Sequence, residues 1–181
     1  LHPLWSAAAD YDIVTPFTQI FALQCIAALH LPQKLENCTV LDIAAGTGSF
    51  ALSVAAQSEK GQSSKIIATD SSKQMLDILS MKSTRDLPAH KQSWVTCEVM
   101  DAQNLLVADN SINFLGCVFG VMFFPDRVQY FREVLRVLKP KGRAATMAWK
   151  VNDLPFLVER VLLDNGRITK DQTPQKATRF A

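Results

Sequence analysis

Thr39-Val-Leu-Asp42-Ile-Ala44-Ala45-Gly46-Thr-Gly48-Ser-Phe-Ala51 sets a short β-branched run against a glycine pair and then against a helical pattern. Residues 39–44 read as a strand, because β-branched residues suit a pleated, half-buried surface. Residues 49–57 read as a helix, with Ser49 as its cap and Ala51, Ala55 and Ala56 as a small-residue packing face. Between them the glycines allow a tight turn and a close approach of a ligand to the backbone, next to the free N–H groups of the helix start. Gly46-Thr-Gly48-Ser-Phe-Ala51 also satisfies G-x-G-x-x-A, the dinucleotide-binding fingerprint, so the loop alone predicts a nucleotide-like ligand without choosing one.

Outward from this loop the same alternation recurs. A helix is expected over 16–30, opened by Pro16, then strands over 65–69, 93–100, 112–119 and 143–149, with helices over 72–82 and 127–138. Gly61-Gln-Ser-Ser64 and Pro140-Lys-Gly142 are turn signals. Strands alternating with helices of about ten residues build parallel βαβ units. The expected fold is therefore α/β: a Rossmann-like, doubly wound, mostly parallel sheet of five strands with helices on both faces. Residues 1–150 make the ligand-binding domain with its N-terminal helical segment, and 151–181 a C-terminal helix (152–163) and polar tail of the same domain.

With 181 residues, 48% hydrophobic and 20% charged, the chain suits one globular domain with a substantial core. A net charge of +2 and scattered basic residues argue against nucleic acid as partner; Lys139, Lys141 and Arg143 read as a solvated turn. Cys25, Cys38, Cys97 and Cys117 form no C-x-x-C pair and lie mostly in apolar runs, so no metal site and a reduced, cytoplasmic protein are expected. No segment reaches the roughly 18 consecutive apolar residues of a membrane span. The sequence begins Leu1-His-Pro-Leu-Trp5, without an initiator methionine or a signal-peptide design, so a trimmed or partial chain is expected.

In such sheets ligands bind beyond the carboxyl ends of the strands, where strand order reverses, so the residues just after each strand carry the functional reading. Asp70 follows the second strand, and a carboxylate there can accept two hydrogen bonds from ribose hydroxyls; as part of Asp70-Ser-Ser72 it can also cap the next helix. Asp101-Ala102 follows the third strand, and an acid there can accept from an exocyclic adenine amine.

Val40 to Gly48, Ile67-Ala-Thr-Asp70, Met100-Asp-Ala-Gln-Asn-Leu105, Asp109-Asn-Ser-Ile-Asn-Phe114 and Glu133-Val-Leu-Arg-Val-Leu-Lys-Pro-Lys-Gly-Arg143 occur in this order and spacing. Together they resemble the class I S-adenosylmethionine-dependent methyltransferases, in particular the small-molecule group that includes the ubiquinone and menaquinone biosynthesis enzymes. The resemblance covers about residues 10 to 150. It implies S-adenosyl-L-methionine as cofactor. It also implies that Asp42 and the backbone of Ala44, Ala45, Gly46 and Gly48 hold the methionine moiety. By the same resemblance Asp70 grips the ribose, Ser71 and Met75 flank the adenosyl group, Asp101 and Ala102 face the adenine, and Phe119 and Gly120 line the sulfonium end. Tyr11 resembles a position that closes over the cofactor.

Two departures stand out. Ala44 replaces a more usual glycine, which is tolerable if the position does not need a positive φ. The fold also normally adds an antiparallel strand pair after the fifth strand, and residues 164–181 show no such pattern, so the pair is expected to be missing or truncated. A bare sheet edge would then favour self-association.

The resemblance implies methyl transfer to a small-molecule acceptor by in-line displacement, in which the protein supplies orientation and exclusion of water. No residue stands out as a general base: His2 is near a terminus, His30 ends a helix, His90 lies in a polar loop, and Asp126 suits the N-cap of the following helix. Phe119, Val121, Met122, Phe123 and Phe124 form an apolar run that packs in the core or lines an apolar acceptor, with Trp149 beside it. Two other functions compete. A nicotinamide-dependent oxidoreductase would use the same glycine loop, although no Tyr-x-x-x-Lys pair follows. A cofactor-binding protein without turnover would result if the short C-terminus abolished the acceptor site.

Overall fold

In the computed structural model, which describes residues 15–149, the chain divides into two compact units, Leu1–Ala148 and Trp149–Ala181. The expected helix over 152–163, the polar tail and the expected loss of the final strand pair lie outside the described residues, as does Tyr11. Within the first unit, helix α1 (Thr15–Leu29) is followed by β1 (Lys34–Leu35), β2 (Thr39–Ile43), α2 (Ser49–Gln57) and β3 (Glu59–Lys60). Then come β4 (Lys65–Asp70), α3 (Lys73–Asp86), α4 (Ala89–Gln92), β5 (Val95–Val99), β6 (Ile112–Val118), a 3₁₀ turn (Val121–Phe123), α5 (Arg127–Val137) and β7 (Leu138–Met147).

Five strands form one sheet in the order β5-β4-β2-β6-β7, and every pairing within it is parallel. The chain leaves β2 toward β4 and β5, then returns to the other side of β2 with β6. The reversal of strand order therefore falls between the carboxyl ends of β2 and β6. Successive side chains of β2 point to opposite faces. Val40 enters a core with Ala22, Cys25 and Leu29 of α1, Phe50 and Val54 of α2, and Leu76 and Leu79 of α3. Leu41 and Ile43 enter a second core with Tyr130, Val134 and Val137 of α5. Helices thus cover both faces, as a doubly wound sheet requires. The β5-to-β6 connection carries no helix, so Thr96 and Glu98 of the edge strand stay exposed.

Some local expectations need correction. The helix after β4 runs four residues beyond Lys82, to Asp86, and Ser72 is its N-cap, accepting from the Met75 N–H. The Pro140-Lys-Gly142 turn does not precede the last strand but interrupts it: Ile112 pairs with Leu138 and Phe114 with Arg143, so residues 139–142 loop out opposite one residue of β6. Lys139 and Arg143 are not free surface cations, since Lys139 donates to Asn113 Oδ1 at 2.9 Å and Arg143 to the Leu29 carbonyl at 3.2 Å. The two-residue β1–β3 pair and α4 were not anticipated; neither is long enough to show a sequence period. Among the described residues no helix is long and apolar enough to cross a membrane.

Candidate cofactor site

At the carboxyl end of β2 the chain turns through Ala44 (φ 54°), Gly46 (φ 54°) and Gly48 (φ 97°) before α2 begins. Ala44 therefore does adopt a positive φ, contrary to expectation. The left-handed conformation costs an L-residue about 1–2 kcal/mol, and it is imposed here because the Ala45 N–H must reach the Thr69 carbonyl at 2.9 Å, which ties the loop to β4. A second strained residue stands at the end of β6, where Phe119 has φ 62°. Its ring meets that of Phe21 edge-on at 5.0 Å, and Phe21 meets Phe17 in the same manner. These two left-handed residues flank the strand-order reversal, and backbone strain of this kind concentrates at functional sites.

The glycines are not equivalent. A Cβ on Gly48 would come within 2.7 Å of Leu79 Cγ, so this residue permits α2 and α3 to pack, and it also serves as the N-cap of α2. Ser49, expected to be the cap, is instead the first helical residue, and its hydroxyl bonds to that of Thr18 at 2.7 Å. Because Gly48 offers no side-chain oxygen, the helix start is satisfied from a distance: Asp42 Oδ2 accepts from the Ala51 N–H at 3.0 Å. Gly120, expected at the sulfonium end, is buried, and a Cβ on it would lie 2.4 Å from that of Ala44. Its smallness thus lets the ends of β2 and β6 come together.

Asp42 is 1% exposed, and burial pushes its carboxyl well above the ordinary aspartate range, with the Asp70 charge adding to the rise and the Ala51 N–H opposing it. A carboxyl with a raised folded-state pKa favours folding when protonated, so its stability cost develops as pH rises from the unfolded pKa through the folded one. Asp42→Asn keeps an acceptor for Ala51 and removes the buried charge. The variant is expected to be about 1–2 kcal/mol more stable than the parent at pH 8, with the gain vanishing in acid below the ordinary aspartate pKa. Urea unfolding at several pH values measures this, and a variant no more stable at pH 8 than in acid relative to the parent would refute it.

Asp70 ends β4 and holds two segments at once. Its Oδ2 accepts from the Gly46 N–H at 2.9 Å and its Oδ1 from the Ser72 N–H at 2.8 Å. A carboxylate has about four acceptor positions, so Asp70 retains capacity for two hydroxyl donors, and its side chain is half-buried at the crevice. The capping alternative belongs to Ser72, not to Asp70. Ser71 is exposed, whereas Met75 is 8% exposed within the core.

At the end of β5, Asp101 is exposed and Ala102 buried. Asp101 Oδ1 accepts from the Gln103 N–H at 2.8 Å and from Gln103 Nε2 at 3.1 Å, while Oδ2 has no partner among the described residues. Val99, whose Cα is paired with that of Asp70 and which stands two residues before Asp101, is a 55% exposed apolar side chain at the sheet edge. The following loop is held to α5: Glu133 Oε2 accepts from the Leu105 N–H at 2.7 Å, and Arg136 donates to Glu133, Asp109 and the carbonyls of Leu105 and Val107. The guanidinium bonds to Glu133 hold that carboxyl below the usual glutamate range.

Asp126 is the N-cap of α5, accepting from the Gln129 N–H at 2.9 Å. His30, at φ 50°, closes α1, and His90 is exposed on α4. Val121 is buried, Met122 and Phe124 are half-buried and Phe123 is 66% exposed, so the apolar run divides between core and surface. The four cysteines are free thiols, and no cluster of three or more metal-ligating side chains occurs among the described residues.

A parallel sheet with a glycine loop at its reversal point has the architecture of the doubly wound α/β domains that bind nucleotide-like ligands. Residues 40–142 match the model of the methyltransferase domain family, and the chain belongs to that family. It is 33% identical, over 94% of its length, to part of the biotin biosynthesis bifunctional protein BioHC of Cellvibrio japonicus, covering 33% of that protein. It is 32% identical to the ubiquinone/menaquinone biosynthesis C-methyltransferase UbiE of Rickettsia prowazekii, over 79% of this chain and 58% of that enzyme. In structure it resembles a candidate S-adenosyl-L-methionine-dependent methyltransferase of Methanococcus maripaludis, with TM-score 0.65 and 24% identity over 88% of this chain and 71% of that one; at this identity the likeness is one of fold. The chain spans between a third and somewhat over half of the length of the curated relatives it matches.

The family's cofactor is S-adenosyl-L-methionine, and the residues present fit it. Asp70 has spare acceptor capacity beside the loop it holds, and Asp101 Oδ2 is open.

Proposed function

We propose that this chain binds S-adenosyl-L-methionine and serves methyl transfer to a small-molecule acceptor. The observation that carries the reading is Asp70, whose carboxylate is fixed by Gly46 and Ser72 with acceptor positions to spare at the reversal point of the sheet. In this reading Asp70 takes the ribose hydroxyls, Asp101 the adenine amine, and the loop of Asp42, Ala44, Ala45, Gly46 and Gly48 the methionine portion. Ser71, Met75, Ala102, Phe119 and Gly120 complete the surround. The sulfonium supplies an electrophilic methyl group when the cofactor is bound. The chain's own part is orientation and exclusion of water, for which Phe119 and the Phe21 ring against it provide an apolar wall. UbiE and the demethylmenaquinone methyltransferases among the relatives are named for work on quinones, which supports an apolar acceptor. The free thiols suit a cytoplasmic location.

Isothermal titration separates this from the nicotinamide alternative. S-adenosylhomocysteine is expected to bind and NADH to give no heat; binding of NADH alone overturns the reading. Transfer of a labelled methyl group to an acceptor in a cell extract then tests turnover.

A further inference from the structure

Gln103 uses both ends of its amide. Its Oε1 accepts from the Asp126 N–H at 2.6 Å, while its Nε2 donates to Asp101 Oδ1 at 3.1 Å. Its main chain repeats the connection, since its N–H donates to the same Asp101 oxygen and its carbonyl accepts from Gln129 Nε2 at 3.3 Å. Asp126 directly follows Phe123-Phe124-Pro125 and caps α5, where its own Oδ1 holds the Gln129 N–H. A continuous hydrogen-bonded path thus runs from the carboxylate after β5 to the segment after β6, carried to the Asp126 N–H by the Gln103 side chain and to Gln129 by the Gln103 main chain. A primary amide both accepts and donates, which a carboxylate or a thioether of the same length cannot do. A glutamate could accept from Asp126 but would repel Asp101, and a methionine could do neither. The far end of the 101–107 loop is fixed independently by Glu133 and Arg136, so the loop is held by α5 at two places, and the Gln103 contact is the one that includes Asp101.

We propose that Gln103 is a positioning residue that couples the cofactor site to the acceptor side: a ligand held by Asp101 tightens, through Gln103, the 121–127 segment and the start of α5. The inference rests on the reading that Asp101 receives the adenine amine. The coupling is a free-energy link between two subsites, and so it is visible as protection of residues that the ligand does not touch.

Hydrogen exchange of the full chain, with and without S-adenosylhomocysteine, tests it. In the parent protein, ligand is expected to slow exchange of the 121–127 amides about fivefold. In Gln103→Met that slowing is lost while residues 44–48 and 101–105 are still protected. Gln103→Glu, which keeps the acceptor for Asp126, is expected to lose the ligand-dependent slowing yet keep the Asp126 amide as slow to exchange as in the ligand-free parent. As a second readout, preference for S-adenosylhomocysteine over S-inosylhomocysteine, which carries an oxo group in place of the adenine amine, is expected to fall about tenfold in both variants. A purely structural glutamine would lower stability and leave that preference unchanged. Binding of S-adenosylhomocysteine without any change at 121–127 in the parent, or variants indistinguishable from it, overturns the coupling. Absence of any heat of binding in the parent overturns instead the cofactor reading beneath it.

Discussion

Asp70→Ala is expected to weaken S-adenosylhomocysteine binding by about 1.5–3 kcal/mol, roughly ten- to a hundredfold, the usual scale for hydrogen bonds to a charged acceptor. The size follows from position as well as charge. Asp70 already accepts from Gly46 and Ser72, so its removal would take away the proposed ligand contacts and also untie the glycine loop from the start of α3. Both N–H groups lie at a half-open crevice, where water can replace the lost acceptor, so the fold should survive. Asp70→Asn separates the two effects. Its Oδ1 can still serve Ser72, but its amide would face the Gly46 N–H donor to donor, so binding should fall by at least as much as in the alanine variant. Calorimetric titration of variants shown to be folded by circular dichroism measures this, and an unchanged dissociation constant in either would remove Asp70 from the site.

The largest stability effect is expected at Arg136. Its guanidinium serves four partners, and among them Glu133 is 7% exposed. Arg136→Ala would leave that carboxylate with the Leu105 N–H alone. Loss of one partner from a buried pair costs about 3–5 kcal/mol. Arg136 keeps 31% of its side chain exposed, so about 2–3 kcal/mol at pH 7 is the expected loss after allowing for solvent screening. The pH dependence has a definite sign. Glu133 has a lowered folded-state pKa, so its stabilising contribution is complete above the unfolded glutamate pKa and disappears as pH falls through the folded value. The gap between parent and variant should therefore narrow in acid. Urea unfolding at pH 7 and pH 3 decides: an equal gap at both would show that Arg136 acts by packing or by its carbonyl contacts and not through the ion pair.

The five parallel strands and their alternation with helices could be read from the chain because they depend on local signals: β-branched runs set the strands, and Asp70 and Asp101 are placed at strand ends by the sheet itself. What could not be read depends on contacts between distant segments. Ala44 looked free of strain because nothing local shows that its neighbour must reach Thr69. Ser49 has the chemistry of a cap, but the cap of α2 is completed by Asp42, nine residues before Ala51, across the sheet surface. The turn signal at Pro140-Lys-Gly142 does not reveal whether a strand begins after it or merely loops out there. Glu133 and Arg136 stand three apart on one helix, a spacing that signals a pair, and that signal was there to be used. Gln103 offered only its place two residues beyond Asp101.

The double anchoring of the Asp70 carboxylate also bears on the thermodynamics of binding. The loop and the start of α3 are already joined by protein hydrogen bonds, so a ligand arriving there meets a surface shaped in advance and spends little on ordering the chain. Its heat-capacity change should then reflect the ligand and crevice area removed from water, without the larger change that accompanies folding of a segment on binding.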